Sequence, residues 1–192
     1  MDFELADGVE SILISEIKGI PASDYLSATS ATPLFVESFM MKAAQAMRHI
    51  HDLPAGCPLD QRLDAKFAKA RENVKNGLVD ETDFDKDRIG KNAEQIYDEL
   101  RTERPGDEDL VFTHGGLCLP NIIVLDNEVA GFNDFDRACV ADRYQDIALF
   151  LRSFNFNTTV ASDGERIFCN AYGIEELDRV KLTFYKKLDE LF

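Results

Sequence analysis

Residues 110 to 137 constrain the fold more tightly than any other stretch. Leu110 to Thr113 reads as a short strand, followed by a polar loop and then two apolar runs, Ile122 to Leu125 and Glu128 to Phe132. Only Asp126-Asn127 separates those runs, and a two-residue connection between strands specifies an antiparallel hairpin. Beyond the second strand the chain enters an acidic loop, Asp134-Phe135-Asp136-Arg137. Asn121 at the start of the hairpin and Asp134 just past its end can therefore meet in space, where they supply oxygen ligands suited to a hard cation such as Mg²⁺.

The loop ahead of the hairpin carries its own signal. A kinase catalytic loop has a His, an Asp two residues later and an Asn five after that. His114 and Asn121 keep this spacing, while Gly116 stands where the catalytic Asp belongs. The stretch thus points to phosphoryl transfer and lacks its base. Each residue also has a plain structural alternative: His114 holding the loop through a backbone carbonyl, Asn121 capping a turn, Asp134 as a turn carboxylate and Asp146 as a helix-face charge. Their shared order and spacing favour the functional reading.

At 192 residues the chain can bury one core. Its net charge of −15 argues against nucleic acid and favours polycationic ligands. The four cysteines, Cys57, Cys118, Cys139 and Cys169, show no C-x-x-C spacing, so zinc and disulfides are not expected and a cytoplasmic setting fits. The opening residues resemble no signal peptide, and no apolar run is long enough to span a bilayer.

The periodic segments predict a mostly helical chain. Residues 1 to 9 are expected to be loosely ordered, and Ser11 to Ile17 to form a lone strand without a nearby partner. Thr32-Pro33 predicts a helix start, with the helix running to about His51 and broken at Pro54-Ala55-Gly56. Further helices are expected over Leu59–Asn76 with Gly77 as its cap, Ala93–Arg104, Asp142–Phe154, Ala161–Ala171 and Glu175–Leu191. Residues 79 to 91 read as acidic and irregular.

Taken together, Thr113-His114-Gly115-Gly116, Asn121, Gly131-Phe132-Asn133-Asp134, Arg137, the run Val140 to Leu149, Leu151-Arg152-Ser153 and the ending Lys187 to Phe192 resemble the aminoglycoside 3′-phosphotransferases. These kinases confer antibiotic resistance by inactivating kanamycin- and neomycin-type drugs. The resemblance implies an α+β, mainly α fold: the C-terminal lobe of a protein-kinase-like fold over residues 22–192, with a short hairpin and a remnant hinge strand within residues 1–21. It implies ATP at the hinge, met by backbone groups of Ser15 and Ile17, and Mg²⁺ on Asn121 and Asp134. It places Arg137, Arg152, Asp189, Glu190 and the terminal carboxylate of Phe192 around the antibiotic, with Asp60 as a further candidate.

Several positions depart from the family pattern. Gly116 replaces the Asp that accepts the sugar hydroxyl's proton. No Gly-rich loop precedes residue 11 and the first lysine is Lys18, so the expectation is an N-terminally truncated chain with doubtful ATP binding. Asn133 and Asp136 stand where an aliphatic residue and a Gly are usual. Asn155 and Asn157 stand where the family tends to carry acidic contacts. The expectation is an aminoglycoside phosphotransferase that is catalytically impaired or inactive. Its alternatives are a non-catalytic aminoglycoside-binding remnant and one half of a split kinase completed by a separate N-lobe chain or by oligomerisation.

Overall fold

The structure is a computed structural model that describes residues 2–6, 9–13, 15–28, 32–54, 57–158 and 163–192. Three small sheets and seven helices are built from these residues. Strand β1 (Asp2–Ala6) pairs antiparallel with β2 (Val9–Leu13), with Phe3 opposite Ile12. This corrects two expectations at once. Residues 2–6 are a strand, and they are the partner of the strand that follows. It also stops at Leu13, and Ser15 to Lys18 are exposed and irregular. Ile14, within the expected hinge strand, lies outside the described residues.

Gly19, at φ 138°, then brings the chain against the hairpin, its Cα so close that an added Cβ would lie 2.5 Å from the Val124 carbonyl oxygen. The close approach lets β3 (Ile20–Pro21) pair with β5 (Ile122–Leu125), which pairs in turn with β6 (Glu128–Phe132). Asp126 and Asn127 both take positive φ, 50° and 64°, as a tight hairpin turn requires. The tip is held from outside: the Tyr25 hydroxyl donates to the Asn127 side chain at 2.7 Å, and Lys42 donates to the Asn127 carbonyl at 2.6 Å.

Helix α1 (Ala22–Ala28) was not expected from the sequence; it follows Pro21 directly. Helix α2 (Pro33–His51) starts at the Thr32 cap, whose hydroxyl accepts from the Phe35 N–H. The expected break at Ala55-Gly56 lies outside the described residues. Helix α3 (Leu63–Asn76) begins four residues later than expected, because Leu59 to Gln61 pair with Val140 instead and the Glu108 carboxylate takes the Leu63 N–H. It ends at Gly77 in the left-handed conformation. Helix α4 spans Ala93–Glu103, opened by a reciprocal Asn92–Gln95 cap.

Strand β4 (Leu110–Thr113) pairs with β7 (Cys139–Asp142), where a helix start had been expected. Helix α5 therefore begins at Tyr144 and runs to Asn157. Its residues 144 to 151 are all buried, which makes it the central rod of the core, packed against α7 (Arg179–Asp189). Helix α6 (Gly164–Tyr172) packs on α2; its expected start at Ala161 lies outside the described residues. One apolar cluster joins all seven helices to the hairpin. Among the described residues no helix is long and apolar enough to cross a membrane.

Candidate functional site

The loop between β4 and β5 is fixed from beneath by the first turn of α5. Asp146, fully buried, accepts the His114 N–H at 2.7 Å and the Gly115 N–H at 2.8 Å, and Gln145 donates to the Gly115 carbonyl at 3.1 Å. A carboxylate can only accept, so the 3.0 Å contact from His51 Nε2 to Asp146 is an N–H donation. His51 Nδ1 then accepts from the Tyr172 hydroxyl at 2.5 Å, and that oxygen accepts from Arg143 at 3.1 Å. Burial pushes the Tyr172 hydroxyl up to about 12, so it remains a donor at neutral pH. A buried polar chain therefore runs from Arg143 to the loop backbone with each of these contacts satisfied in turn.

Within the loop, His114 Nε2 donates to the Asn133 carbonyl at 2.8 Å and its Nδ1 faces the Gly116 N–H at 3.3 Å. His114 thus ties the loop to the segment preceding Asp134, the plain role open to it from the sequence. Gly115 sits at φ 85°, and a Cβ there would lie 2.0 Å from the Arg137 carbonyl oxygen. Gly116 is different. It has no left-handed backbone, and an added Cβ would meet only Arg137 Cδ at 4.0 Å. The position has room for a Cβ and carries none.

Asn121 and Asp134 flank this loop. Asn121 donates its amide to the Gly116 carbonyl at 3.0 Å, which leaves its Oδ1 to act as a ligand, and its backbone carbonyl accepts the Asn133 N–H at 3.1 Å. Asp134 is exposed, at φ 62°. One amide oxygen and one carboxylate suit a hard cation that completes its shell with phosphate and water oxygens. Among the described residues no cluster of three His, Cys, Asp or Glu side chains could hold a metal. Ser15 and Ile17 are exposed, and Ile17 overlies Gly131 of β6, where an added Cβ would meet its Cδ1 at 3.0 Å.

Beside the loop lies a cleft of about 500 Å³. Asp80, Asp83, Asp85, Asp189 and Glu190 line it with a single guanidinium, Arg152, and with Phe84, Phe156 and Phe192 among its apolar groups. Asp189 accepts from Arg137 at 2.8 Å and from Arg152. Burial opposes its charge, but the two arginines outweigh burial and hold the carboxyl below its usual range. Glu190 accepts from Arg88 at 2.9 Å, yet burial pushes its carboxyl up to about 7.

Asp80, Asp83 and Asp85 were missed in the sequence, where their segment reads only as acidic and irregular; the high density of carboxylates there was the available signal. Of the residues expected around the antibiotic, Arg152, Asp189, Glu190 and Phe192 line the cleft, and Arg137 reaches it through Asp189. Asp60 does not line it. It is exposed and held by Arg62, which keeps its carboxyl down at about 2. Asn157 lines the cleft but turns its amide to the Ser153 carbonyl at 2.8 Å; Asn155 does not line it.

Residues 2–182 match the model of the phosphotransferase enzyme family. An aminoglycoside 3′-phosphotransferase of Streptomyces fradiae is 44% identical over 156 residues, 78% of this chain and 58% of that protein. One of Niallia circulans is 35% identical over 96% of this chain and 68% of its own length. The chain thus spans little more than half to about two thirds of these relatives. Among solved structures, an aminoglycoside 3′-phosphotransferase of type VIII superposes with a TM-score of 0.82 at 32% identity, over 92% of this chain and 67% of that one. An aminoglycoside phosphotransferase from Streptomyces rimosus in complex with ADP and streptomycin gives 0.83 at 29% identity, over 100% and 73%.

Proposed function

The chain belongs to the phosphotransferase enzyme family, among relatives that are aminoglycoside 3′-phosphotransferases, and on that premise we propose that it binds an aminoglycoside of the kanamycin or neomycin type in the acidic cleft and transfers phosphate poorly or not at all. The observation that carries the binding half is the set of carboxyl groups lining the cleft: five against one lining guanidinium. Among the described residues Asp80 and Asp83 are free of any arginine, while Asp189 is paired with Arg137 and Arg152, and Asp85 and Glu190 with Arg88. An aminoglycoside carries several ammonium groups, and charge-assisted hydrogen bonds to spaced carboxylates hold such a ligand in one register. Arg137 and Arg152 hold Asp189 in place, while Phe84, Phe156 and Phe192 offer apolar surface to the sugar faces.

The family reaction joins a sugar 3′-hydroxyl oxygen to the γ-phosphorus of ATP, breaks the bond to ADP and releases the hydroxyl proton. Asn121 and Asp134 would hold Mg²⁺, which neutralises phosphate oxygens when bound. His114 and Asp146 keep the loop rigid at the point where the hydroxyl arrives. At Gly116 the chain offers no acceptor for the proton, and loss of a positioned base costs roughly 10²- to 10⁴-fold in rate.

Calorimetric titration with neomycin tests the binding half. A saturable heat is expected, with an affinity that falls steeply as salt rises from about 20 mM to about 200 mM. An affinity indifferent to salt, or no heat at all, overturns it. With ATP, Mg²⁺ and kanamycin supplied, no antibiotic-dependent ADP is expected, and a clear ADP signal refutes the impaired reading.

A further inference from the structure

Lys66, in the first turn of α3, is the least expected charge in the molecule. It is only 3% exposed, and among the described residues no carboxylate lies within ion-pair distance of its ammonium. A buried charge with no partner is expensive. The direct partner it does have is the face of the Phe192 ring, 4.9 Å from Nζ to the ring centre. The Arg137 guanidinium approaches the same ring at 5.5 Å. Phe192 is the last residue of the chain, lines the acidic cleft and donates its N–H to the Asp189 carbonyl at 3.2 Å. Helix α3 grips the residue before it as well, through Asn73 and the Leu191 carbonyl at 2.8 Å.

We propose that Lys66 is a positioning residue of the cleft: with Arg137 it clamps the Phe192 ring and so fixes the wall that Phe192 forms beside Asp189 and Glu190. A cation over an aromatic face gains most where water is excluded, and Lys66 is in such a place. Burial is the largest influence on it and draws the Lys66 amine down to about 8; the titratable groups that bear on it are Arg137 after β6, Cys139 on β7, Asp189 on α7 and Asp146 on α5. The clamp is therefore intact at neutral pH and released as the ammonium deprotonates. Its consequence for antibiotic binding rests on the aminoglycoside reading of the cleft; the clamp itself does not.

Carboxypeptidase A release of Phe192 from the 192-residue chain reads the clamp without any antibiotic, with rates normalised to an unstructured peptide of the same last residues. Release from Lys66→Met is expected to be about tenfold faster than from wild type at neutral pH, equivalent to about 1.4 kcal/mol, while Lys66→Arg stays protected. In the wild type, protection should fall as pH rises through about 8, and in Lys66→Arg it should not. Equal release from Lys66→Met and wild type, or a pH profile shared by wild type and Lys66→Arg, overturns the proposal. If Lys66→Met fails to fold, the comparison of wild type with Lys66→Arg decides alone. Neomycin titration of the same proteins should show about tenfold weaker binding to Lys66→Met. Absence of heat with wild type would count against the aminoglycoside reading and leave the clamp to the digestion result.

Discussion

Two adjacent glycines in the loop between β4 and β5 should respond to substitution in opposite ways. At Gly115 the backbone is left-handed, and an alanine Cβ would stand 2.0 Å from the Arg137 carbonyl oxygen and 2.6 Å from its carbon. The conformation alone costs a residue with a Cβ about 1–2 kcal/mol, and displacing fixed neighbours adds about 1–3 kcal/mol more. The neighbours are backbone, and the loop is tied down by Asp146 and Gln145, so little relaxation is available. Gly115→Ala should lose about 2–5 kcal/mol in urea unfolding followed by circular dichroism. At Gly116 an added Cβ meets only Arg137 Cδ at 4.0 Å, in an unstrained conformation. The stiffer unfolded chain of Gly116→Asp returns about 0.4–1 kcal/mol, and the nearby Arg137 guanidinium is already engaged by Asp189. The net change should stay within about 1 kcal/mol of wild type. If Gly116→Asp were as damaging as Gly115→Ala, position 116 would not be an open seat for a carboxylate, and the idea that the loop keeps its form without its base would fail.

Other consequences follow from the same geometry. Asp146→Ala strands the His114 and Gly115 N–H groups and the His51 ring, and should cost about 3–5 kcal/mol in the same unfolding measurement, with faster amide exchange at residues 114 and 115. Glu190 has a folded pKa raised from 4.5 to about 7 by burial, so the folded state holds its proton more tightly than the unfolded one. Its contribution to stability is complete below about 4.5 and is lost as pH rises through about 7, a slope that Glu190→Gln should remove from pH-dependent melts. Asp83→Asn should weaken neomycin binding several-fold by calorimetry, whereas Asp60→Asn, outside the cleft and paired with Arg62, should leave it unchanged.

Local chemistry made much of this fold legible. The Thr32 cap, the left-handed stop at Gly77 and the two-residue hairpin turn all depend on residues within a few positions of one another. Strand β7 was missed because Cys139–Asp142 looks like the approach to a helix until β4, some 26 residues earlier, provides its ladder. The pairing of β1 with β2 was missed for a simpler reason: the acidic residues Asp2 and Glu4 mask an alternating segment. At the site, the order of His114, Asn121 and Asp134 exposed the loop, and the vacancy at Gly116 was visible directly. Asp146 was legible as a member of that ordered pattern, with a helix-face charge as the alternative, but its hydrogen bonds under the loop depend on where α5 enters the core. The carboxylates at 80, 83 and 85 have no period to betray them and become a cleft only when α5 and the chain's last residues close the other side. Lys66 falls on the buried stripe of α3, three residues after Leu63 and four before Ala70, but a lysine there reads as a charge that reaches solvent.

The central claim is that the cleft recognises an aminoglycoside through its carboxylates while the adjacent loop lacks a base. A crystal structure of the chain grown with neomycin addresses this most directly. The account predicts ammonium groups of the antibiotic within hydrogen-bond distance of Asp189, Glu190 and at least one of Asp83 and Asp85, with a sugar hydroxyl directed toward the open space at Gly116. Neomycin bound elsewhere on the surface, with the cleft filled only by solvent, would contradict it.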